Sequence, residues 1–559
     1  MKRVLLLLFA AITLLMQAQE LSLVPLPQKV TTYEGCMQLD NKSIVVCYPQ
    51  TDDNSYTKVI DSFVDEMKVI TGVKIKKSYP KKAKIAGVSV IKYTKKGDVH
   101  MTLRIDPMMC DEEYNLCIKE NKIDIATATP AALFYAFQTL KQLLPRNVAA
   151  GVADKSIKEW RLPFVDIHDK PRFSWRGFML DEGRHFYGKE AVKKVLDIMA
   201  HYKMNRFHWH LTEDQGWRIE IKKYPELTNT GAWRDSKVLG WGDVKPDGIR
   251  YGGYYTQKDI REIVEYAKEH FIEIIPEIDI PGHSQAAVAS YPDILACDPK
   301  EKHNVWLWQG VSADVINVSN PDAVQFAKDI IDELTELFPY RYIHLGGDEC
   351  PTHKWERNSE CAALLKEIGT QNYRDLQLNF YRQIKDHIAQ KPSEKQRELI
   401  FWNEILHGNT ALLGNDITIM AWIGADAAAQ KAASLGMKTI LTPQIPYYIN
   451  RKQSDRPDEP HSQGYGTETV EAVYNYVPMK NTPEELQSKY LGVQANFWSE
   501  WVVTADHLQY LLLPRLAAVA EAAWTQQDRR DYKEFEKRIQ CEQLFYNLIN
   551  VNYGKHIFE

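Results

Sequence analysis

Residues 320–349 read "NPDAVQFAKDIIDELTELFPYRYIHLGGDE". Asn320 fits a helix cap and Pro321 the first turn. Val324, Ala327, Ile331 and Leu334 then recur at helical spacing until Pro339 stops the run. A short apolar strand, "YIHL", follows and runs into two glycines and two adjacent carboxylates, Asp348 and Glu349. Neighbours on a regular strand face opposite ways. Two acids meant for one reaction should therefore not be adjacent, unless the glycines release the backbone from alternation.

The helix–strand unit repeats from Trp175 onward. Eight apolar strands are legible: "RGFMLD", "NRFHWHL", "IEIIPEI", "RYIHLG", "ELIFWN", "ITIMAW", "KTILTP" and "GVQANFW". Amphipathic helices separate most of them. One of these, "TQKDIREIVEYAKEH", opens with Thr256 and Asp259 at capping-box spacing. Eight such units over 171–525 imply an α/β fold, a (β/α)8 TIM barrel. A doubly wound open sheet is the alternative; it usually brings a Gly-rich phosphate loop, and the sequence has none. The long connection at 222–255 reads as an active-site loop.

Residues 19–170 form a smaller α+β domain ahead of the barrel. Short β-type runs, among them "KSIVVCY", "VSVIKYT" and "KIDIATA", lead to the helix "TPAALFYAFQTLKQLLP". Thr129 is its expected cap and Pro145 its stop. The expected arrangement is a helix on a mainly antiparallel sheet. Residues 526–559 are charged and helical, and are expected to pack on the barrel.

Composition narrows the function. The chain has 559 residues, 44% hydrophobic and 26% charged, with mean hydropathy −0.40. A net charge of −5 over that length gives no footprint for nucleic acid or a membrane surface. Lys2, Arg3, the apolar run Val4–Met16 and Ala18 make residues 1–18 a secretory signal peptide, so export to the periplasm or beyond is expected. No later stretch reads as transmembrane. Eight cysteines are ordinary usage for this length, and Cys350 is expected to pack or pair rather than act as a nucleophile.

In a barrel, the strand C-termini converge on one mouth. There the sequence places Asp181, Arg184 and His185; Glu213 and Asp214; Glu277, Asp279 and His283; His344, Asp348 and Glu349; Trp402 and Glu404; Trp422; Tyr448, Asn450 and Arg451; Trp498 and Glu500. Trp faces stack on pyranose rings, and charged groups bind their hydroxyls. This mixture describes a sugar pocket. His208 and His210 share a strand face, but no HExxH or comparable third ligand accompanies them. Hydrogen-bonded barrel histidines are expected, with no metal and no cofactor.

"RGFMLDEGRHF", "NRFHWHLTEDQGWR", "EIDIPGHSQA", "HLGGDE", "WNE" and "GVQANFWSE" resemble, in order, the motifs of glycoside hydrolase family 20, the β-N-acetylhexosaminidases. The helix at 129–145 resembles the end of that family's accessory N-terminal domain. The resemblance implies roles. Glu349 would be the general acid/base, Asp348 would orient the substrate's 2-acetamido group, and Tyr448 would hydrogen-bond its carbonyl. Trp402, Trp422 and Trp498 would wall the pocket, while Arg184 and Glu500 would grip the non-reducing end. Glu213 and His283 would support the site from behind. The implied reaction is retaining, exo-acting and substrate-assisted, an exception to the two-carboxylate rule. Asp348 would help raise the pKa of Glu349 to suit an acid.

Two departures stand out. Glu213 occupies a position where the family usually has Asp. Asn450 stands where bacterial members often have Asp, and "YYINRK" resembles members that accept 6-sulfated N-acetylglucosamine. Neutral Asn450 beside Arg451 would attract a sulfate. Three other readings stay open here: a disaccharide-releasing lacto-N-biosidase, a catalytically inactive carbohydrate-binding relative, and a two-carboxylate barrel glycosidase with Glu404 or Glu500 as nucleophile.

Overall fold

The computed structural model describes residues 21–39, 43–48, 54–78, 84–85, 88–89, 98–157 and 159–559. The expected signal peptide lies outside these residues, as do residues 90–94 of the expected strand "VSVIKYT". Two compact units emerge: 21–172 with 524–551 and 557–559, and 173–523 with 552–556.

The first unit holds a seven-stranded sheet in the order Lys29–Gln38, Arg161–Asp169, Tyr114–Lys119, Lys122–Thr127, Val99–Ile105, Ser43–Cys47, Lys74–Ser78. Its first three pairings are antiparallel and its last three parallel, so the sheet is mixed, not mainly antiparallel as expected. Helix Ser55–Thr71 accounts for one of the parallel pairs: it carries the chain from Ser43–Cys47 back to Lys74–Ser78, a connection parallel strands require. Helix Pro130–Gln142 starts as its sequence dictates, with the Thr129 side chain accepting from the Ala132 N–H. Phe63 and Phe137 stack between these two helices with ring centroids 3.9 Å apart.

The C-terminal helices, Tyr532–Ile539 and Glu542–Leu548, belong to this first unit. Residues 552–556 cluster with the second unit, so the tail expected on the barrel is divided between the two units. Glu542 is fully buried, and a buried carboxylate needs a cation. Arg146, also buried, stands 3.5 Å away. Arg538 donates to the Leu23 carbonyl at 2.6 Å, and the Trp524 indole donates to Asp169 at 2.9 Å.

In the second unit, all eight strands read from the sequence close into a parallel barrel. They are β1 (Trp175–Asp181), β2 (Arg206–His210), β3 (Glu273–Glu277), β4 (Tyr342–His344), β5 (Glu398–Trp402), β6 (Thr418–Ala421), β7 (Lys438–Leu441) and β8 (Tyr490–Phe497). Trp175, Met179, Ile275, Ile400, Met420 and Ile440 fill the lumen. Gly177 admits the Trp175–Gln494 hydrogen bond: a Cβ there would come within 2.5 Å of both bonding atoms. Outside the barrel, Thr256 and Asp259 form the expected capping box, and Asn320 caps helix Pro321–Leu337. No described helix is long and apolar enough to cross a membrane.

The register places the site. Asp181 pairs with His210, His210 with Glu277, and Glu277 with His344. The ends of β1–β4 therefore reach the mouth at one level, and the lumen turns polar there.

Candidate active site

β4 stops at His344, and the chain then turns left-handed. Gly346 has φ +69°, Gly347 φ +105° and Glu349 φ +45°. A Cβ on Gly346 would lie 1.8 Å from Asp279 Oδ1, so only glycine fits. This run breaks strand alternation. Asp348 sinks to 7% exposure, whereas the Glu349 side chain stays 48% exposed at the pocket surface.

His283, itself at φ +44°, sits behind both acids. Its Nε2 is 3.6 Å from Asp348 Oδ2 and 3.6 Å from Glu349 Oε2, ion-pair distances rather than hydrogen bonds. Its Nδ1 is 3.2 Å from Glu213 Oε2. Burial disfavours a cation here, but Glu213 and Asp348 hold His283 protonated well above its ordinary range. The consequence reverses one expectation. His283 holds the Glu349 carboxyl below the usual range instead of leaving Asp348 to raise it. Asp348 is the acid that is pushed up: burial, then the charges of Glu277 and Glu349, outweigh His283. Burial and Asp348 likewise push Asp279 well up. The proton of this cluster thus favours the deep pair, Asp279 and Asp348, over Glu349.

Glu213 uses the length that sets it apart from Asp. Its Oε1 takes Arg184 Nη2 at 2.6 Å, while its Oε2 faces His283 and accepts the Asp214 N–H at 2.7 Å. One carboxylate thereby braces the arginine at the pocket and the histidine behind the acids. Arg184 also meets Asp181 at 3.3 Å and Gln215 at 3.2 Å, and lies 5.0 Å over the Trp498 ring. Glu500 is raised by burial against the pull of Arg184, and its buried Oε2 has no hydrogen-bond partner.

A pocket of about 200 Å³ gathers Arg184, Asp348, Glu349, Trp422, Tyr448, Trp498 and Glu500 from the expected set. Trp422 and Tyr448 stack nearly parallel, 12° apart, on one side. Glu213 and His283 stand behind the lining. Trp402 is fully buried below it, donating its indole N–H to Glu277 Oε1 at 2.8 Å. Glu404 accepts the Trp422 indole N–H at 3.0 and 2.9 Å and does not line the pocket. Burial and Asp348 push it up to about 8, which disfavours the carboxylate form that a nucleophile needs.

Asn450 and Arg451 lie outside the lining. Asn450 is 1% exposed and donates to Gln463 Oε1 at 2.6 Å. Arg451 is 2% exposed and paired with Glu468 at 3.2 Å. The attraction for a sulfate expected of Arg451 is therefore spent inside the protein. Arg451→Ala would leave Glu468 buried and unpaired, and should cost about 3 kcal/mol of stability. It should leave the ratio of kcat/KM for 6-sulfated over plain chromogenic N-acetylglucosaminide within about twofold, since a charge cancelled by a partner has little field beyond it. Thermal unfolding and paired kinetics check both halves.

Sequence reasoning missed Gln463, Tyr465, Gln444 and Gln309, all of which line the pocket. Gln463 and Tyr465 lie on the short strand Gln463–Thr467, Gln444 opens the one-turn helix Gln444–Tyr447, and Gln309 lies in a bend; none of these is long enough to show a periodicity. Trp241 also lines it, and lies in the 222–255 connection read as an active-site loop.

Glu277 anchors the layer below. Its Oε2 pairs with His210 Nδ1 and lies 2.9 Å from His208 Nε2; its Oε1 lies 2.9 Å from His344 Nδ1. His208, Glu277 and His344 bring ligand atoms within 4.8 Å of one another, as do Asp279, His283 and Asp348. In the second set His283, held protonated by Glu213 and Asp348, puts a positive charge beside the carboxylates. Cys350 is a buried free thiol, pushed up by burial, that packs beside the pair.

The chain matches the family described as "Glycosyl hydrolase family 20, catalytic domain" over residues 173–527, and that family's domain 2 over residues 20–170. It is 36% identical over 537 residues to a beta-hexosaminidase of Porphyromonas gingivalis, covering 95% of this chain and 64% of that one. A beta-hexosaminidase of Vibrio furnissii is 34% identical, over 76% of this chain and 67% of its own length. Among solved structures, an exo beta-N-acetylglucosaminidase of Vibrio harveyi, in complex with N-acetylglucosamine, superposes with TM-score 0.81 at 31% identity, over 96% of this chain and 78% of that one. A beta-N-acetylhexosaminidase of Streptomyces coelicolor gives TM-score 0.77 at 26% identity, over 95% and 97%.

Proposed function

Because the chain belongs to glycoside hydrolase family 20, we propose that it is an exo-acting β-N-acetylhexosaminidase. It releases terminal, non-reducing, β-linked N-acetylhexosamine from glycans, with retention, using the substrate's own acetamido group. One observation carries the reading. Asp348 Oδ1 is buried at the pocket with no hydrogen-bond partner. Such an atom costs free energy unless a donor meets it, and an acetamido N–H is such a donor.

The geometry supports the following steps. Asp348 holds the acetamido N–H and stabilises the positive charge that develops there. The acetamido oxygen attacks the anomeric carbon, the glycosidic C–O bond breaks, and Glu349 gives its proton to the leaving oxygen. An oxazolinium ion results. Glu349, now a base, takes a proton from water as that water attacks the anomeric carbon, which restores the acetamido group. A sugar over Glu349 strips water from a half-exposed carboxyl and raises its pKa, while an N–H on Asp348 favours the anion. Substrate thus moves the proton to where the reaction needs it.

The alternatives fit less well. Two rings of a released disaccharide need more room than about 200 Å³ beside Arg184 and Glu500. An inactive relative has no need of the strained Gly346–Glu349 turn. Acceptance of a 6-sulfate would rest on the neutral Asn450–Gln463 pair alone.

The deciding experiment compares chromogenic β-N-acetylglucosaminide with the matching β-glucoside. The glucoside lacks the nucleophile and should react more than about a hundredfold slower, a small share of what intramolecular attack can supply. Comparable rates would overturn acetamido participation.

A further inference from the structure

A second cavity, of about 740 Å³, opens beside the catalytic pocket in the same unit. Its size lies within the roughly 300–1,000 Å³ of small-molecule sites. One segment divides the two: Trp306, Leu307, Trp308 and Ser312 line the cleft, and Gln309, Gly310 and Val311 line the catalytic pocket. Asp214 clamps this partition. Its carboxylate takes the N–H of Gln285 and of Ser312, each at 2.9 Å, and its carbonyl takes the Trp306 N–H at 3.0 Å. The wall is therefore built, not a loose loop.

The lining has two characters. Trp233, Trp306 and Trp308 are half-buried, and the Trp306 indole N–H is shielded with no hydrogen-bond partner. Sugar rings stack on such faces and accept such a hydrogen. The charges are uneven. Glu301 and Asp314 are held by Lys354, and Asp314 also by His303. Arg250 lies 5.2 Å over Trp233, and Lys302 is exposed; neither has a carboxylate within ion-pair distance among the described residues. Buried Arg234 donates to the carbonyls of Arg184, Gln215, Ser236 and Lys237, so its charge is not cancelled. Lys354 offsets only one of its two carboxylates, so with Asp235 the lining sets three acids against Arg234, Arg250, Lys302 and Lys354 and keeps a net charge of +1.

We propose that this cleft is a second glycan site, binding a pyranose that carries an anionic substituent, a sulfate ester or a carboxylate. The anion meets Arg250 and Lys302 while the ring rests on tryptophan. The site would hold a charged part of the glycan while the neighbouring pocket trims termini. It extends the proposed hydrolase reading but is tested without turnover.

The test is calorimetric binding to the full chain with the catalytic pocket saturated by N-acetylglucosamine. The probes are N-acetyllactosamine, its 6-sulfated form, and a glucuronosyl-N-acetylglucosamine disaccharide. The sulfated or the uronic probe should bind at least about tenfold tighter than the neutral one, as a charge-assisted contact allows. Which of the two binds identifies the anion. Arg250→Ala and Trp233→Ala should each weaken binding about tenfold and leave hydrolysis of a chromogenic N-acetylglucosaminide unchanged. Equal binding of neutral and anionic probes, indifference to both substitutions, or loss of binding when N-acetylglucosamine is present would overturn the proposal. A wild-type chain that binds the probes yet fails on the chromogenic sugar would instead overturn the hydrolase reading.

Discussion

Glu349→Gln lowers kcat on an N-acetylglucosaminide with a poor leaving group by roughly a hundred- to ten-thousand-fold, the range for removing a general acid–base. The substitution is nearly isosteric and falls on a half-exposed side chain, so folding and affinity for N-acetylglucosamine should hold. The loss should shrink when the leaving group is a dinitrophenol, which departs without a proton. A merely structural role would show no such dependence. The pH profile gives a second readout. kcat/KM falls as pH rises through the point where Glu349 loses its proton, and His283 sets that point low. Removing the cation by His283→Gln lets Glu349 keep its proton to higher pH, so the alkaline limb should move upward even as the maximum falls. Full activity in Glu349→Gln at all leaving groups would refute the assignment.

Asp348→Asn should cost about 10²–10³ in kcat, the scale for losing one preorganised electrostatic partner of a transition state. Asparagine can still accept the acetamido N–H but cannot balance the charge that forms on the ring nitrogen. The effect should fall on kcat more than on KM. The sign of the pH response follows from mutual repulsion. Asp348 must be ionised to work, and bound substrate favours its anion, so the wild-type kcat falls as pH drops through the pKa of Asp348 in the complex. Asparagine removes this acid limb. It also removes a like charge from beside Glu349, whose proton is then lost earlier, and the alkaline limb should shift to lower pH. An unchanged acid limb would show that another group titrates there.

The barrel was legible because its strands are short apolar runs ending in polar residues, and all eight closed as read. The left-handed turn was legible for the same kind of reason: "GG" before "DE" has a backbone meaning. What stayed hidden depended on partners distant in sequence. Arg451 reads as a surface cation until Glu468 is seen against it. His283 reads as a support residue, but its charge, fixed by Glu213 and Asp348, decides which acid holds the proton. Glu213 reads as a departure; only in three dimensions does its extra methylene span Arg184 and His283. The mixed sheet was hidden because strand pairing is not encoded in any one strand.

The burial of Glu542 beneath Arg146 has a consequence for the order of synthesis. Residues 21–172 of the first unit precede the barrel in sequence, and residues 524–551 and 557–559, which complete that unit, follow it. When residues 21–172 leave the ribosome, Arg146 has no counter-ion, and a whole barrel must be translated before one arrives. The amino-terminal unit is thus the last to be completed. A protease that clips the tail would undo the beginning of the protein rather than its end.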